Sequence, residues 1–329
     1  MTGGLSLRWA LVALAYAGAV VGAGFASGQE IYVFFSRHGT EGGWGILLAG
    51  TAFFLLGSRA LDLGAQGVHD YRTLLRLVYP SRAVPYIDAL AMLFLAGGMV
   101  VVAAGAGAVV HTLCGVPAPV GSLVLLVVAA FISVRGASGV LAANGLLVPV
   151  LTVVALMVAL HAGGRFRGPG SPRWWVSSLL YVSYNLFTGL LALLGLGRLL
   201  LARAERRAAA AAGALLLVLL ALALHRALLG AGGIVGSIPI LDLARGMGPV
   251  WAGAYAAALG CALVTTGVAQ TFSFGERFGA RRVWWVFALW PATWIGFQTL
   301  VRDFYPLMGV LSVIIWWPVL LRRRIVRQG

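Results

Sequence analysis

Lysine is missing altogether: all 24 basic residues are arginine, which points to a compositional bias more than to a function. Charge of either sign is scarce, at 10% of 329 residues, and only nine residues are acidic. With 61% hydrophobic residues, that scarcity excludes an ordinary water-exposed globule and a disordered polyelectrolyte alike. Two cysteines, Cys114 and Cys261, make no disulfide framework. His111, His161 and His225 lack metal-ligand spacing, and the polar residues are too sparse for converging catalytic groups, so no enzyme is read here. No ring of like charges or repeated filter marks a channel.

What is present is apolar sequence in runs of about twenty residues, the length that crosses a bilayer as a helix. Ten spans are predicted, at 7–36, 43–61, 84–112, 119–135, 140–161, 173–197, 208–227, 249–273, 282–300 and 304–321. A polar stretch with Asp62, Asp70, Arg72, Arg76 and Arg82 suggests a short interfacial helix, and the glycine-rich 230–248 a re-entrant or surface-lying hairpin. The first run is no cleavable signal, because a polar break falls inside it and more spans follow. A formal charge of +15 would suit nucleic acid, but the arginines sit in short loops between apolar spans, so the partner expected is the lipid bilayer. With the N-terminus inside, the outer loops hold seven arginines (37, 165, 167, 173, 226, 245 and 302) and the inner segments the other 17. Both termini are therefore expected in the cytoplasm, of a multi-pass protein in the cell membrane.

Ten spans divide into residues 1–165 and 166–329, five in each. Because five is odd, the halves have opposite orientation, as in many secondary transporters whose repeats each open with an interrupted helix. The first span carries such an interruption at Gly22-Ala23-Gly24-Phe25-Ala26-Ser27-Gly28, followed by Gln29 and Glu30. Glycines propagate a helix poorly, and freed backbone groups at membrane depth are tolerated where they face protein or a polar cavity. Close helix packing alone does not call for Ser27, Gln29 and Glu30. In the second half, Tyr181-Val182-Ser183-Tyr184-Asn185 marks a second expected break, since an asparagine in hydrocarbon demands a partner. The bland alternative is an Asn–Ser bond that joins helices.

Gly22 to Phe35, Tyr181 to Asn185 and Tyr305-Pro306-Leu307-Met308-Gly309 resemble the bacterial YkvI-type membrane proteins, within the amino acid–polyamine–organocation superfamily. The resemblance implies an all-α membrane protein with the LeuT-like 5+5 inverted repeat, helices one and six discontinuous. It implies a secondary transporter whose small-molecule substrate lies between helices one, three, six, eight and ten. Gly22, Ala23 and Gly24 match the break that holds a substrate carboxylate, with donors from Ala26, Ser27 and Gly28. Gly98 on span three, and Ser183 and Asn185 on span six, would complete the pocket. Thr265 and Thr266 match the hydroxyl pair that, with carbonyls near Gly22 and Phe25, holds sodium in sodium-coupled relatives; a threonine pair bonded to its own helix is the plain alternative. Proton-coupled relatives that use a lysine there have no counterpart, so sodium is favoured and no cofactor besides a bound sodium ion is implied.

Glu30 admits several roles: a coupling carboxylate, a gate partner for an arginine, a ligand for a cationic substrate, or a cap on free backbone N–H groups; Gln29 beside it is grouped with it for coupling or gating. Asp88 forms an inner gate or a surface pair with Arg82. Gly97 and Gly98 open a pocket or permit tight packing. Trp290-Pro291 predicts a kink. A ligand-sensing receptor that keeps the carrier fold is the second functional class, because fold does not dictate function.

Overall fold

The apolar runs form helices, and helices are the only open-ended elements that satisfy their own backbone in lipid. The computed structural model describes residues 8–68, 71–134, 153–154, 156–158, 160–161, 170–231, 236–278 and 280–321. The helices are α1 (Arg8–Val20), α2 (Ala23–Ser27), α3 (Gln29–Phe34), α4 (Gly42–Ala65), α5 (Tyr71–Val78), α6 (Val84–Cys114) and α7 (Ala118–Val134). They continue with α8 (Trp174–Gly197), α9 (Arg203–Gly230), α10 (Pro239–Gly246) and α11 (Pro249–Phe278). A 3-10 segment, Ala280–Ile295, leads through Phe297–Thr299 and a π-helical turn, Leu300–Phe304, into α12 (Tyr305–Leu321). Among the described residues, four helices are long and apolar enough to cross a bilayer. The expected fifth span lies almost wholly outside the described residues, as do Asp70, Arg135 and the terminal arginines.

Two groups of helices form the body. In one, α1 and α4 pack with α8 and α9, and α12 lies along α8. In the other, α6 and α7 pack with α11 and the 3-10 segment. Close approach depends on small residues, as in lipid it must. A Cβ on Gly64 would run into the Leu194 carbonyl of α8, and one on Gly197 into the Leu61 carbonyl of α4. On the expected cytoplasmic side, Arg206 of α9 bonds Asp62 of α4 at 2.6 Å and also donates to the Leu200 and Leu201 carbonyls. The interfacial helix forms as α5, with Leu74 and Leu75 buried, and the Tyr79 hydroxyl after it donates to the Ile315 carbonyl of α12.

One expectation is corrected. Helix six is not discontinuous: α8 runs unbroken from Trp174 to Gly197. The physical reason lies in its polar side chains, which bond along their own helix instead of opening it. Ser183 Oγ donates to the Leu179 carbonyl and Asn185 Nδ2 to the Tyr181 carbonyl, each four residues back. Pro291 lies inside the 3-10 segment, whose 16 residues at about 2 Å each reach roughly 32 Å. Trp290 Nε1 anchors that segment to the Pro119 carbonyl of α7.

Candidate functional site

The first span is broken twice. Gly22 stands extended (φ −90°, ψ −174°) between α1 and α2, and Gly28 is left-handed (φ 84°, ψ −8°) between α2 and α3. Gly28 must be glycine for two reasons: its φ disfavours a side chain, and a Cβ would come within 2.6 Å of Ile240 Cγ1. Ile240 belongs to α10, whose Pro239, Ile240, Leu241 and Ala244 are buried, so the 230–248 segment packs down onto the break. The two short pieces lie between the two helix groups: α2 touches α6, α10 and α11, while α3 touches α8 and α9.

The polar residues of the break are nearly all out of water. Ser27 Oγ donates to the Gly24 carbonyl at 2.7 Å and accepts from the Gln29 amide at 3.2 Å. Gln29 Nε2 donates to the Gly236 carbonyl at 3.0 Å, while its Oε1 has no partner. Ala26 offers its carbonyl to the Tyr255 hydroxyl of α11. A Cβ on Gly22 would meet nothing within 4 Å, while Ala23 next to it is buried.

Glu30, 3% exposed, folds back over the break. A methyl on Gly24 would fall on Glu30 Oε1, so the carboxylate occupies the space that glycine leaves. It hydrogen-bonds the Tyr184 hydroxyl and the Phe25 backbone amide, and its Oε2 is buried without a partner. The bond to Phe25 is the cap expected of a carboxylate near a helix break, but it reaches across the break and onto α2.

Tyr181, Tyr184 and Tyr305 lie within electrostatic reach of this carboxylate. Phe34 stacks on Tyr184 with centroids 5.7 Å apart, and Tyr184 on Tyr305 at 4.6 Å. The edge of Tyr181 meets Phe35 at 4.9 Å, and its hydroxyl is buried and unpartnered. A cavity of about 10 Å³, room for about one water, adjoins Tyr181 between Phe25, Phe35 and Phe53. These tyrosines were not singled out from the sequence as site residues. The available signal was the i, i+3 spacing of Tyr181 and Tyr184, which puts two hydroxyls on one face.

Other expected residues sit elsewhere. Ser183 accepts from Trp317 Nε1 at 2.8 Å, a helix-to-helix bond between α8 and α12. A Cβ on Gly97 would overlap the Phe304 ring, and one on Gly98 would lie 2.8 Å from Gln270 Nε2, so this pair permits tight packing. Thr265 donates to the Ala262 carbonyl of its own helix at 3.1 Å, and Thr266 beside it is half-buried. Asp88 is half-buried in the first turns of α6.

No protein-family model matches the chain. The chain is 29% identical to the uncharacterized membrane protein YkvI of Bacillus subtilis over 184 residues, which cover 53% of each chain. That match therefore spans about half the length of the relative. It is 27% identical to the uncharacterized protein YyaD of the same organism across 93% of this chain and 94% of that one. Among solved structures it is similar to MhsT, crystallised in complex with L-phenylalanine, with a TM-score of 0.60 at 17% identity over 93% of this chain and 81% of MhsT. MhsT has the LeuT transporter fold. The helix order, the broken first helix and these similarities agree: this is a multi-pass membrane protein, similar to the YkvI type and built on the fold of a LeuT-type transporter.

Proposed function

We propose that the protein is a secondary active transporter that moves a small polar or zwitterionic solute, an amino acid or a related amine or carboxylate, across the cell membrane by alternating access. The observation that carries this reading is the doubly broken first helix, with its polar residues buried between two helix groups. Each group joins two helices of the first half to helices of the second, α1 and α4 to α8, α9 and α12, and α6 and α7 to α11 and the 3-10 segment, which supports the five-plus-five inverted repeat of residues 1–165 and 166–329. Such a site can be reached alternately from either side as one group rocks against the other.

The solute binds along Gly22 to Gly28, at Gly22, Ala23, Gly24, Ala26, Ser27 and Gly28, where the broken helix leaves backbone groups outside its regular ladder and Gly22 has free space beside it. Gly98, Ser183 and Asn185 act through packing and hydrogen bonds that hold the helices around the break, while Gln29, Glu30 and Asp88 serve coupling or gating. Transport is coupled to a cation, with sodium favoured over a proton. Thr265 suits sodium in one respect: a hydroxyl that donates to its own helix keeps its oxygen lone pairs for a cation. Carbonyls at Gly22 and Phe25, each accepting one hydrogen bond, likewise retain a lone pair. With Thr266 they make an all-oxygen donor set.

Counterflow in proteoliposomes tests this. Amino acids, amines and small carboxylates are screened under sodium or potassium. Sodium-dependent exchange that loses its sodium dependence in Thr265→Ala and Thr266→Ala is the expected result. Saturable binding with no counterflow of any bound solute would make the protein a sensor.

A further inference from the structure

We infer that Glu30 and the tyrosines around it form a receptor for an organic ammonium group, so that the solute carries a positive charge at this end of the site. The inference deepens the carrier reading and rests on it for the identity of the bound group as cargo. Its starting point is an imbalance. A carboxylate taken out of water needs hydrogen-bond donors or a cation for its lone pairs. Glu30 has a hydroxyl from Tyr184 and an amide from Phe25, both on uncharged groups, and its Oε2 is buried with nothing. Among the described residues no cationic side chain pairs with it. The titratable groups that face it are Tyr181 and Tyr184 on α8 and Tyr305 at the start of α12. In the ring cluster the Tyr181 hydroxyl is likewise buried without a partner, and it can accept a hydrogen bond as well as donate one. What Glu30 Oε2 lacks is a donor.

The rings select the kind of donor. Phe34, Tyr181, Tyr184 and Tyr305 pack on one another around the carboxylate, with Tyr184 stacked between Phe34 and Tyr305, and aromatic rings attract ammonium ions most strongly where, as here, water is excluded. A hydrated metal ion would find one carboxylate and phenols, too few hard oxygens to replace its water. The continuous α8 adds a separate reason. A break in that helix would have supplied free carbonyls as a negative pole, but α8 is closed, and its Leu179 and Tyr181 carbonyls already accept side-chain donors. Glu30, reaching back over Gly24, takes their place. Gly24 is what lets it do so.

The experiment uses the full-length protein in nanodiscs, with choline and butylamine as probes, each set against its uncharged isostere. Binding is read as a shift of the melting point with concentration. Both ammonium probes or one of them should raise the melting point saturably, and the isosteres should not. Glu30→Gln should weaken that binding about 10- to 100-fold, the worth of a charge-assisted bond. Gly24→Ala is the second variant: it favours the helix, leaves the charge in place and displaces the carboxylate, so it should also weaken the probe. Silence of both probes, or binding indifferent to Glu30→Gln and Gly24→Ala, overturns the inference. So does a result in which Glu30→Gln alters only the pH dependence of stability, which would make the carboxyl a proton site. The two readings fail separately. Glu30-dependent ammonium binding without counterflow overturns the carrier and keeps the receptor, whereas sodium-driven exchange of an anion that ignores Glu30→Gln does the reverse.

Discussion

At the scale of single residues, the break is held by atoms that are absent as much as by those present. Gly28 combines a left-handed backbone with a Cβ direction already filled by Ile240. Gly28→Ala is therefore expected to cost about 2–4 kcal/mol, the sum of the left-handed penalty and overpacking, and to appear as a lowered melting point. Gly22, with open space around it, should accept alanine with a far smaller loss. Ser183 and Trp317 make a different point. Tryptophans near span ends read as interface anchors, yet Trp317 turns its indole N–H inward to Ser183. Trp317→Phe should lower stability by about 1 kcal/mol, and Ser183→Ala in that background should add little more, because the two share one bond.

At the scale of elements, long apolar helices could be read from apolar runs, but whether a helix stays whole could not. Tyr181 to Asn185 looks like a break, yet side chains of Ser183 and Asn185 have a second way to satisfy themselves, on carbonyls four residues back. Only the three-dimensional arrangement shows which was taken. The tie between α4 and α9 is similar: Asp62 and Arg206 are 144 positions apart and mostly buried, with side chains 18% and 14% exposed. Loss of either, as Asp62→Asn or Arg206→Gln, should cost about 1–3 kcal/mol, with the double variant losing less than the sum. Arg203, 4.0 Å from Asp62 and 68% exposed, should matter little. On α10, between spans, burial raises the Asp242 carboxyl above its ordinary value while Arg245 opposes the rise. The folded protein thus keeps this proton to a higher pH than the unfolded chain. Its contribution to stability is therefore greatest below the ordinary aspartate range, about pH 4, and declines as pH rises through the raised value. A melting curve against pH should be flatter in mild acid for Asp242→Asn than for the parent.

At the scale of the whole molecule, orientation can be tested with the protein's own cysteines, both of them exposed. With the N-terminus inside, three spans bring Cys114 to the outer face. In a Cys261→Ala background, a membrane-impermeant maleimide should label intact cells at Cys114; protection until the cells are opened would reverse the arginine-based orientation. The membrane class and the first break were legible in the amino acids alone, because these follow from local quantities: run length, charge scarcity and a cluster of glycines. The sequence also marked Glu30 as a carboxylate in the wrong solvent. Tertiary structure alone decided what surrounds that carboxylate. Tyr184 and Tyr305 are more than 150 and 270 positions from it, and no local pattern says that three helices will converge there. Burial and pairing are properties of the packed set, and so the chemistry of the site becomes legible only when the helices meet.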